Sequence, residues 1–291
     1  MTTRSPWKHP FASSSFWNIS LGSGARFESV TGTKTASFIS GSCYINCEQW
    51  SIPVVNARTT DPVATVRTSS TWAWNYRVPT TAQVALGTDG HSVVTQPDYA
   101  AIAYENWVMR KISDTSWTSK FQVRTDMRGS GGVNGVRAAG VSALGGLIRA
   151  HEVAALNIPH ALAVAIPRSK LKLGPVWPAN RQDGNASSTY TGPIPMGTLL
   201  GIPPQVNISS LGLSPEGLAL ARALQDYGAY VVDAAGGTVL YAEPAAAGAA
   251  FNRMRNDFAK VRKYMRVVTN NSSTNVGGGG TRRRPAAAPL A

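Results

Sequence analysis

Residues 145–183 read GGLIRAHEVAALNIPHALAVAIPRSKLKLGPVWPANRQD. The segment begins with a glycine pair and a helical pattern, continues as an apolar strand, HALAVAIP, and ends in a loop. Reactive side chains lie close to this strand, namely Arg149, His151, Glu152, His160, Trp177 and Asp183. No other part of the chain places these residue types beside a buried strand. We therefore expect part of any catalytic or glycan-binding groove here.

Composition favours a globular, mainly β protein. The 291 residues suffice for one large domain or two small ones, and 43% of them are hydrophobic against 15% charged, which allows a sizeable core. Short apolar runs between frequent Gly, Pro, Ser and Thr are typical of a β-sandwich. The predicted organisation is an extended N-terminal arm (1–28), a β-sandwich domain with a few short helices (29–270) and a Gly/Arg/Pro-rich tail (271–291).

The net charge of +13 is spread along the chain and is densest at 253–266 and 282–284. This distribution favours a basic surface that faces anionic envelope polymers or partner proteins over specific nucleic-acid binding. No apolar run is long enough to span a membrane, and the N-terminus lacks the apolar centre of a signal peptide. We therefore predict synthesis and assembly in the cytoplasm. The loop RGSGGVNG (128–135) matches neither phosphate-loop nor dinucleotide motifs, and no cofactor is predicted.

Local patterns predict the main elements. A hairpin over 87–109 brings His91 near Glu105 or Asn106. A short helix is expected over 144–156, a capped helix after Ser214, and a basic amphipathic helix over 245–264. The stretch AYVVDAAGGTVLYAE (229–243) is predicted to be a hairpin around Ala-Ala-Gly-Gly.

The arm and the tail each allow two interpretations. The aromatic residues of the arm either hold it across the core or dock it onto another subunit. The tail has a linker composition that is disordered by itself, so an ordered tail would indicate a large assembly in which neighbours hold it.

The chain resembles a group of proteins from actinobacterial secretomes and from tailed phages of actinobacteria, whose phage members are minor tail proteins. The resemblance covers nearly all of residues 13–245. The matching stretches are SSSFWNISLGSGARF (13–27), IPVVNARTTDPVATV (52–66), GTDGHSVVTQPD (87–98), AYENW (103–107), GGLIRAHEVAALNIPHALAVAIP (145–167), VWPANRQDG (176–184), PIPMGTLL (193–200) and LALARALQDYGAYVVDAAGGTVLYAE (218–243).

The resemblance implies a jelly-roll, concanavalin-like β-sandwich related to lectins and polysaccharide lyases. Without a secretion signal, the phage branch is favoured. The expected protein is a virion component of the tail or tail tip that contacts the host envelope. Its expected partners are other virion proteins and host cell-wall polysaccharide, within an oligomeric assembly. A purely structural virion subunit is the alternative that involves no glycan.

Two kinds of glycan chemistry fit the residue types. A glycosidase needs two carboxylates flanking the bond, whereas a lyase needs a cation, a base and an acid. A metal site from histidine and glutamate side chains is less favoured, and no metal is predicted. The predicted catalytic residues are His160, Glu105, Arg149, His91, Glu152 and Asp183. The predicted substrate-binding residues are Trp177, Tyr227 and Asp89.

Overall fold

The structure, a computed structural model, describes residues 3–97 and 101–291. The helices are α1 (Thr33–Ile39), α2 (Ala150–Ala155), α3 (Ala186–Thr189), α4 (Pro215–Asp226) and α5 (Ala249–Arg262). The strands are β1 (Cys43–Asn46), β2 (Val54–Asn56), β3 (Val63–Arg67), β4 (Ala73–Arg77), β5 (Ser92–Thr95), β6 (Ile102–Trp107), β7 (Arg110–Ser113), β8 (Ser116–Thr118), β9 (Phe121–Asp126), β10 (Leu162–Ile166), β11 (Leu171–Lys172), β12 (Ile194–Pro195), β13 (Leu199–Gly201), β14 (Ala229–Ala234), β15 (Thr238–Tyr241) and β16 (Arg266–Val267).

The largest sheet has the strand order β1-β15-β10-β14-β13-β16. Every residue of β10 is buried, which explains its uninterrupted apolar sequence, since both faces of a central strand are covered. The predicted strand within HALAVAIP is confirmed. The predicted hairpin of β14 and β15 is wrong, because β10 lies between them, parallel to β14 and antiparallel to β15.

The longer helices were well predicted. Ser214 caps α4, its Oγ accepting a hydrogen bond from the backbone N–H of Gly217 at 3.0 Å. On α5, the apolar stripe that includes Phe251 and Phe258 is buried. The helix predicted over 144–156 is shorter, because α2 begins at Ala150. Before it, Gly146 has a φ of +70°, and a Cβ there would lie 2.1 Å from the backbone nitrogen of Ala163.

Two four-stranded sheets form a sandwich in the first half of the chain. Their strand orders are β2-β5-β6-β9 and β4-β3-β8-β7. Strand β6 alternates between two cores: Tyr104 packs into the sandwich, stacked on Tyr76 with ring centroids 3.9 Å apart, whereas Ala103 packs toward the six-stranded sheet. The sheet that contains β6 is therefore covered on both faces.

The chain is thus mainly β, with mixed sheets and few helices. A jelly-roll arrangement is not confirmed. Strands β2 and β5, β3 and β8, β1 and β15, and β10 and β14 pair in parallel, whereas the strands of a jelly-roll are antiparallel. Within residues 3–97 and 101–291, no helix has the length and apolar character needed to cross a membrane.

The N-terminal arm and the C-terminal tail lie against each other. In the arm, Phe11 and Trp17 are buried in the main core. The backbone N–H of Arg4 donates to the carbonyl of Pro289 at 3.0 Å, and that of Ala291 donates back to the carbonyl of Arg4 at 3.0 Å. The arm of the same chain thus holds the tail, so the order of the tail needs no neighbouring chain.

Candidate functional site

An open cleft of about 520 Å³ lies beyond the carboxyl ends of the parallel strands β10 and β14. Loops from both halves of the chain contribute to its walls. Such positions bind ligands in many sheets, because the loops that follow parallel strands diverge there. Its charged and aromatic lining comprises Asp89, His91, Trp107, Lys120, Phe121, Arg137, Arg168, Arg181, Asp183 and Asp233.

Asp233 stands near the end of β14, with 21% of its side chain exposed. Burial raises the pKa of this carboxyl to about 6, and the negative charges of Asp183 and Asp89 add to the rise, against the opposing attraction of Arg137. Nη1 of Arg137 lies 3.7 Å from Oδ2 of Asp233. Asp233 therefore holds its proton up to nearly neutral pH.

Asp183 and Asp89 are the two other carboxylates that line the cleft, and both are partly exposed. The hydroxyl of Tyr190 donates a hydrogen bond to Oδ2 of Asp183. Burial and this carboxylate raise the pKa of Tyr190, so the phenol remains a donor. The cleft thus combines Asp233, which burial shifts toward the protonated form, with two further acidic side chains.

His91 lines the cleft and remains neutral. Burial, with repulsion from Arg137, lowers its pKa to about 3. Its Nδ1 lies 3.2 Å from the backbone carbonyl of Asn106, as the hairpin pattern predicts. The other proposed partner, Glu105, pairs with Val93 across the strands and does not line the cleft.

Arg137 is only 1% exposed and forms part of the cleft wall. Its guanidinium lies over the ring of Tyr241, 3.8 Å from the centroid. Its Nε and Nη2 have no hydrogen-bond partner among the residues that the structure describes. In that part of the chain, the counterion of this buried cation is Asp233, at 3.7 Å.

Two aromatic rings contribute to the lining. Trp107 ends β6 with 38% of its surface exposed, and Phe121 begins β9 opposite it. Nζ of Lys120 lies 5.7 Å from the centroid of Trp107, and the guanidinium of Arg181 lies 5.0 Å from that of Phe121. Exposed rings beside a cleft are suited to stacking on sugar faces.

Glu105, predicted as catalytic, is fully buried away from the cleft lining. Its carboxylate accepts hydrogen bonds from the hydroxyls of Thr125 and Ser142 and from the backbone N–H groups of Val136 and Ala143. These contacts join β6 to β9 and to the segment 136–143 that carries Arg137, so Glu105 supports the cleft from behind.

Arg149, Glu152 and His160, all predicted as catalytic, come together away from this cleft. Nε2 of His160 lies 2.8 Å from Oε1 of Glu152, and Nε of Arg149 donates to Glu243 at 2.8 Å. Burial opposes both charges of the His160–Glu152 pair, yet mutual attraction outweighs it, lowering the pKa of Glu152 and raising that of His160.

The cavity beside His160 holds about 10 Å³, room for one water molecule and not for a sugar. His9 of the arm closes this side, with its ring 5.8 Å from that of His160. Arg149 also borders a larger groove with Trp7 and His151. The His160 cluster thus joins the arm to α2 and β10.

Trp177 and Tyr227, predicted to bind substrate, do not line the cleft. Trp177 packs edge-on against Phe16 at 5.6 Å and near Tyr230 at 6.4 Å, within the main core. Tyr227 borders a separate groove near Asp226. The large aromatic surface of Trp177 is used to fill the space between the arm and the sheet.

Asp233, Arg137 and Arg181 were not predicted from the sequence. The sequence did contain a signal for Asp233, which directly follows the apolar run AYVV. Burying a carboxylate at the end of a strand costs free energy, so its presence there indicates a functional role. The mistaken hairpin concealed this signal by placing a tight turn directly after Asp233.

Among the residues that the structure describes, no group of three His, Cys, Asp or Glu side chains is placed to hold a metal ion. No protein-family model matches the chain. Comparisons with curated proteins and with solved structures likewise find no match.

Proposed function

We propose that this protein binds a glycan in the Asp233 cleft and hydrolyses a glycosidic bond there. The observation that carries the proposal is the convergence of Asp233, Asp183 and Asp89 on one open cleft, where burial shifts Asp233 toward the protonated form. Glycosidases require such a pair, one carboxyl that donates a proton and one carboxylate that acts as base or nucleophile.

In this mechanism Asp233 protonates the oxygen of the leaving sugar. At the same time Asp183 or Asp89 either activates a water that attacks the anomeric carbon, or attacks that carbon itself, according to its distance from the bond. In the second case water then hydrolyses the glycosyl-enzyme ester, with Asp233 now acting as the base, which frees the sugar and restores the carboxylate. The exposed ring of Trp107 and the half-buried ring of Phe121 stack on sugar units next to the cleavage point.

A lyase reaction in the same cleft is less well supported. A lyase needs a base that removes a carbon-bound proton, and His91 is the histidine that lines the cleft. Because its pKa is lowered to about 3, its imidazole is a weak base. Hydrolysis by carboxyl groups needs no such base.

We further propose, from the resemblance to minor tail proteins, that the chain acts in a phage tail or tail tip at the host envelope. Its net charge of +13 suits contact with anionic wall polymers. On the same basis we propose that the chain is related to jelly-roll proteins that bind glycans. Antibody labelling of purified virions tests the location, and labelling absent from the tail would contradict it.

The test of hydrolysis is incubation of the purified protein with actinobacterial wall polysaccharide, followed by assay of new reducing ends. We expect Asp233→Asn to lower the rate by about 100-fold or more, since general acid catalysis contributes about that much. The wild-type rate should fall above a pH of about 6, as Asp233 loses its proton. Asp114→Asn, on a side chain that is 67% exposed, is the matched control.

Four results would overturn the proposal of hydrolysis by Asp233. Unsaturated products detected by ultraviolet absorbance would indicate a lyase. Glycan binding without cleavage would leave a binding protein, and neither binding nor cleavage would leave a structural virion subunit. An Asp233→Asn variant as active as Asp114→Asn would remove the assigned proton donor.

A further inference from the structure

Cationic side chains surround the carboxylates of the cleft. Lys120, Arg137, Arg168 and Arg181 all line it, against the three aspartates. Because four cationic side chains face three aspartates and His91 is neutral, the cleft carries a net positive charge even when all three aspartates are counted as ionised. Hydrolysis of a neutral sugar chain does not require this excess of cations.

Arg137 is the cation whose charge is least compensated. It is buried, its contact with Asp233 is 3.7 Å long, and its Nε and Nη2 donate no hydrogen bond to any residue that the structure describes. The guanidinium lies over the ring of Tyr241. An anion bound in the cleft would supply the close electrostatic compensation that Asp233 does not give at 3.7 Å.

The other cations are placed where a bound chain would pass. Arg181 lies over Phe121, and its Nη2 donates to the carbonyls of Gly135 and Arg137, which holds it at the wall. Lys120 lies over Trp107. Arg168 is exposed, directly after β10. Each aromatic ring thus has a cation beside it, which suits a sugar unit that bears an acidic group.

We propose that the cleft selects an anionic glycan, one whose sugar units carry carboxylate or phosphate groups. The inference rests on the proposed function in placing a glycan in this cleft, but it concerns recognition and not cleavage. Selection follows because a neutral chain would leave the cations of the cleft without the pairing that an acidic chain provides.

The experiment compares one polymer in charged and uncharged forms. Binding of wall polysaccharide to the full-length protein is measured by isothermal titration calorimetry before and after chemical reduction of its carboxyl groups, and before and after removal of its phosphates with cold hydrofluoric acid. We expect at least one treatment to weaken binding about tenfold or more at low salt. The treatment that does so identifies carboxylate or phosphate as the recognised group.

Two variants locate the effect in the cleft. The double variant Lys120→Gln, Arg168→Gln should weaken binding of the charged polymer by about two- to fivefold for each cation removed, and should leave the uncharged polymer unaffected. The control Arg255→Gln, Lys263→Gln removes the same charge from exposed positions outside the cleft lining. Added salt should weaken binding of the charged polymer alone.

Equal affinity for charged and uncharged polymers, or an equal loss in both double variants, would overturn the inference. Such a result would leave hydrolysis by Asp233 intact. Conversely, selective binding of the charged polymer without new reducing ends would retain the inference while removing the proposed hydrolytic activity.

Discussion

Replacement of Glu105 by alanine is expected to destabilise the protein strongly, although Glu105 touches no ligand site. Its carboxylate is fully buried and accepts hydrogen bonds at 2.7 Å from Thr125, 3.1 Å from Val136 and 2.9 Å from Ala143, and another from Ser142. Alanine would leave two backbone N–H groups and two hydroxyls without their acceptor.

The magnitude follows from these four groups. A buried donor without a partner costs about 1–3 kcal/mol, and water entering the vacated space relieves part of this. We therefore expect Glu105→Ala to lower the free energy of unfolding by about 4–6 kcal/mol, a large part of the total of about 5–15 kcal/mol. Glu105→Gln keeps the shape, and its amide can donate to the two hydroxyls, so it should cost about 1–2 kcal/mol.

The assay is urea unfolding followed by circular dichroism. Thr125→Val, which removes one donor, should cost about 1 kcal/mol, and the exposed control Asp114→Asn should change stability by less than about 0.5 kcal/mol. A cost below about 1 kcal/mol for Glu105→Ala would refute the reasoning. If instead Glu105→Gln kept its stability but lost all hydrolytic activity, the prediction of a catalytic Glu105 would be supported.

Three further changes test other contacts. Asp233→Asn should raise the free energy of unfolding by about 1–3 kcal/mol at pH 7, because the folded-state pKa of about 6 lies above the unfolded value of 3.8, so the ionised aspartate destabilises the fold. Calorimetry should show that this gain in stability vanishes below about pH 4. No gain in stability at pH 7 would contradict the raised pKa of Asp233. His160→Gln should lower the melting temperature most between pH 4.5 and 6.5, where both partners of the ion pair are charged. The stabilisation from Glu152 is lost as the pH falls through its lowered pKa, and that from His160 is lost as the pH rises through its raised pKa. A loss of melting temperature that does not depend on pH would argue against the ion pair. Ser214→Ala should lower the free energy of unfolding in urea by about 1–2 kcal/mol, because Ser214 caps α4 and its hydroxyl also donates to Asp257. Ser214→Thr is the matched control and should restore the stability. A loss near zero for Ser214→Ala would exclude the cap.

Part of the candidate site was predictable from the local sequence pattern. His91, Asp89 and Asp183 were selected from the sequence, and all three line the cleft. Glu105 and His160 were selected for the same chemical reasons, yet each is buried in a hydrogen-bond network outside that lining. Residue type states what a side chain can do, but only its partners show whether that capacity is already used.

The sequence by itself determined which segments are buried and where α4 begins. The apolar run of β10, the cap at Ser214 and the stripe of α5 follow from side-chain periodicity, which records local exposure to water. Tertiary structure decided that β10 lies between β14 and β15, and that Asp89, Asp183 and Asp233 meet. The physical reason is that pairing among buried strands depends on packing between distant segments, and the pattern within a single strand carries no record of its neighbours.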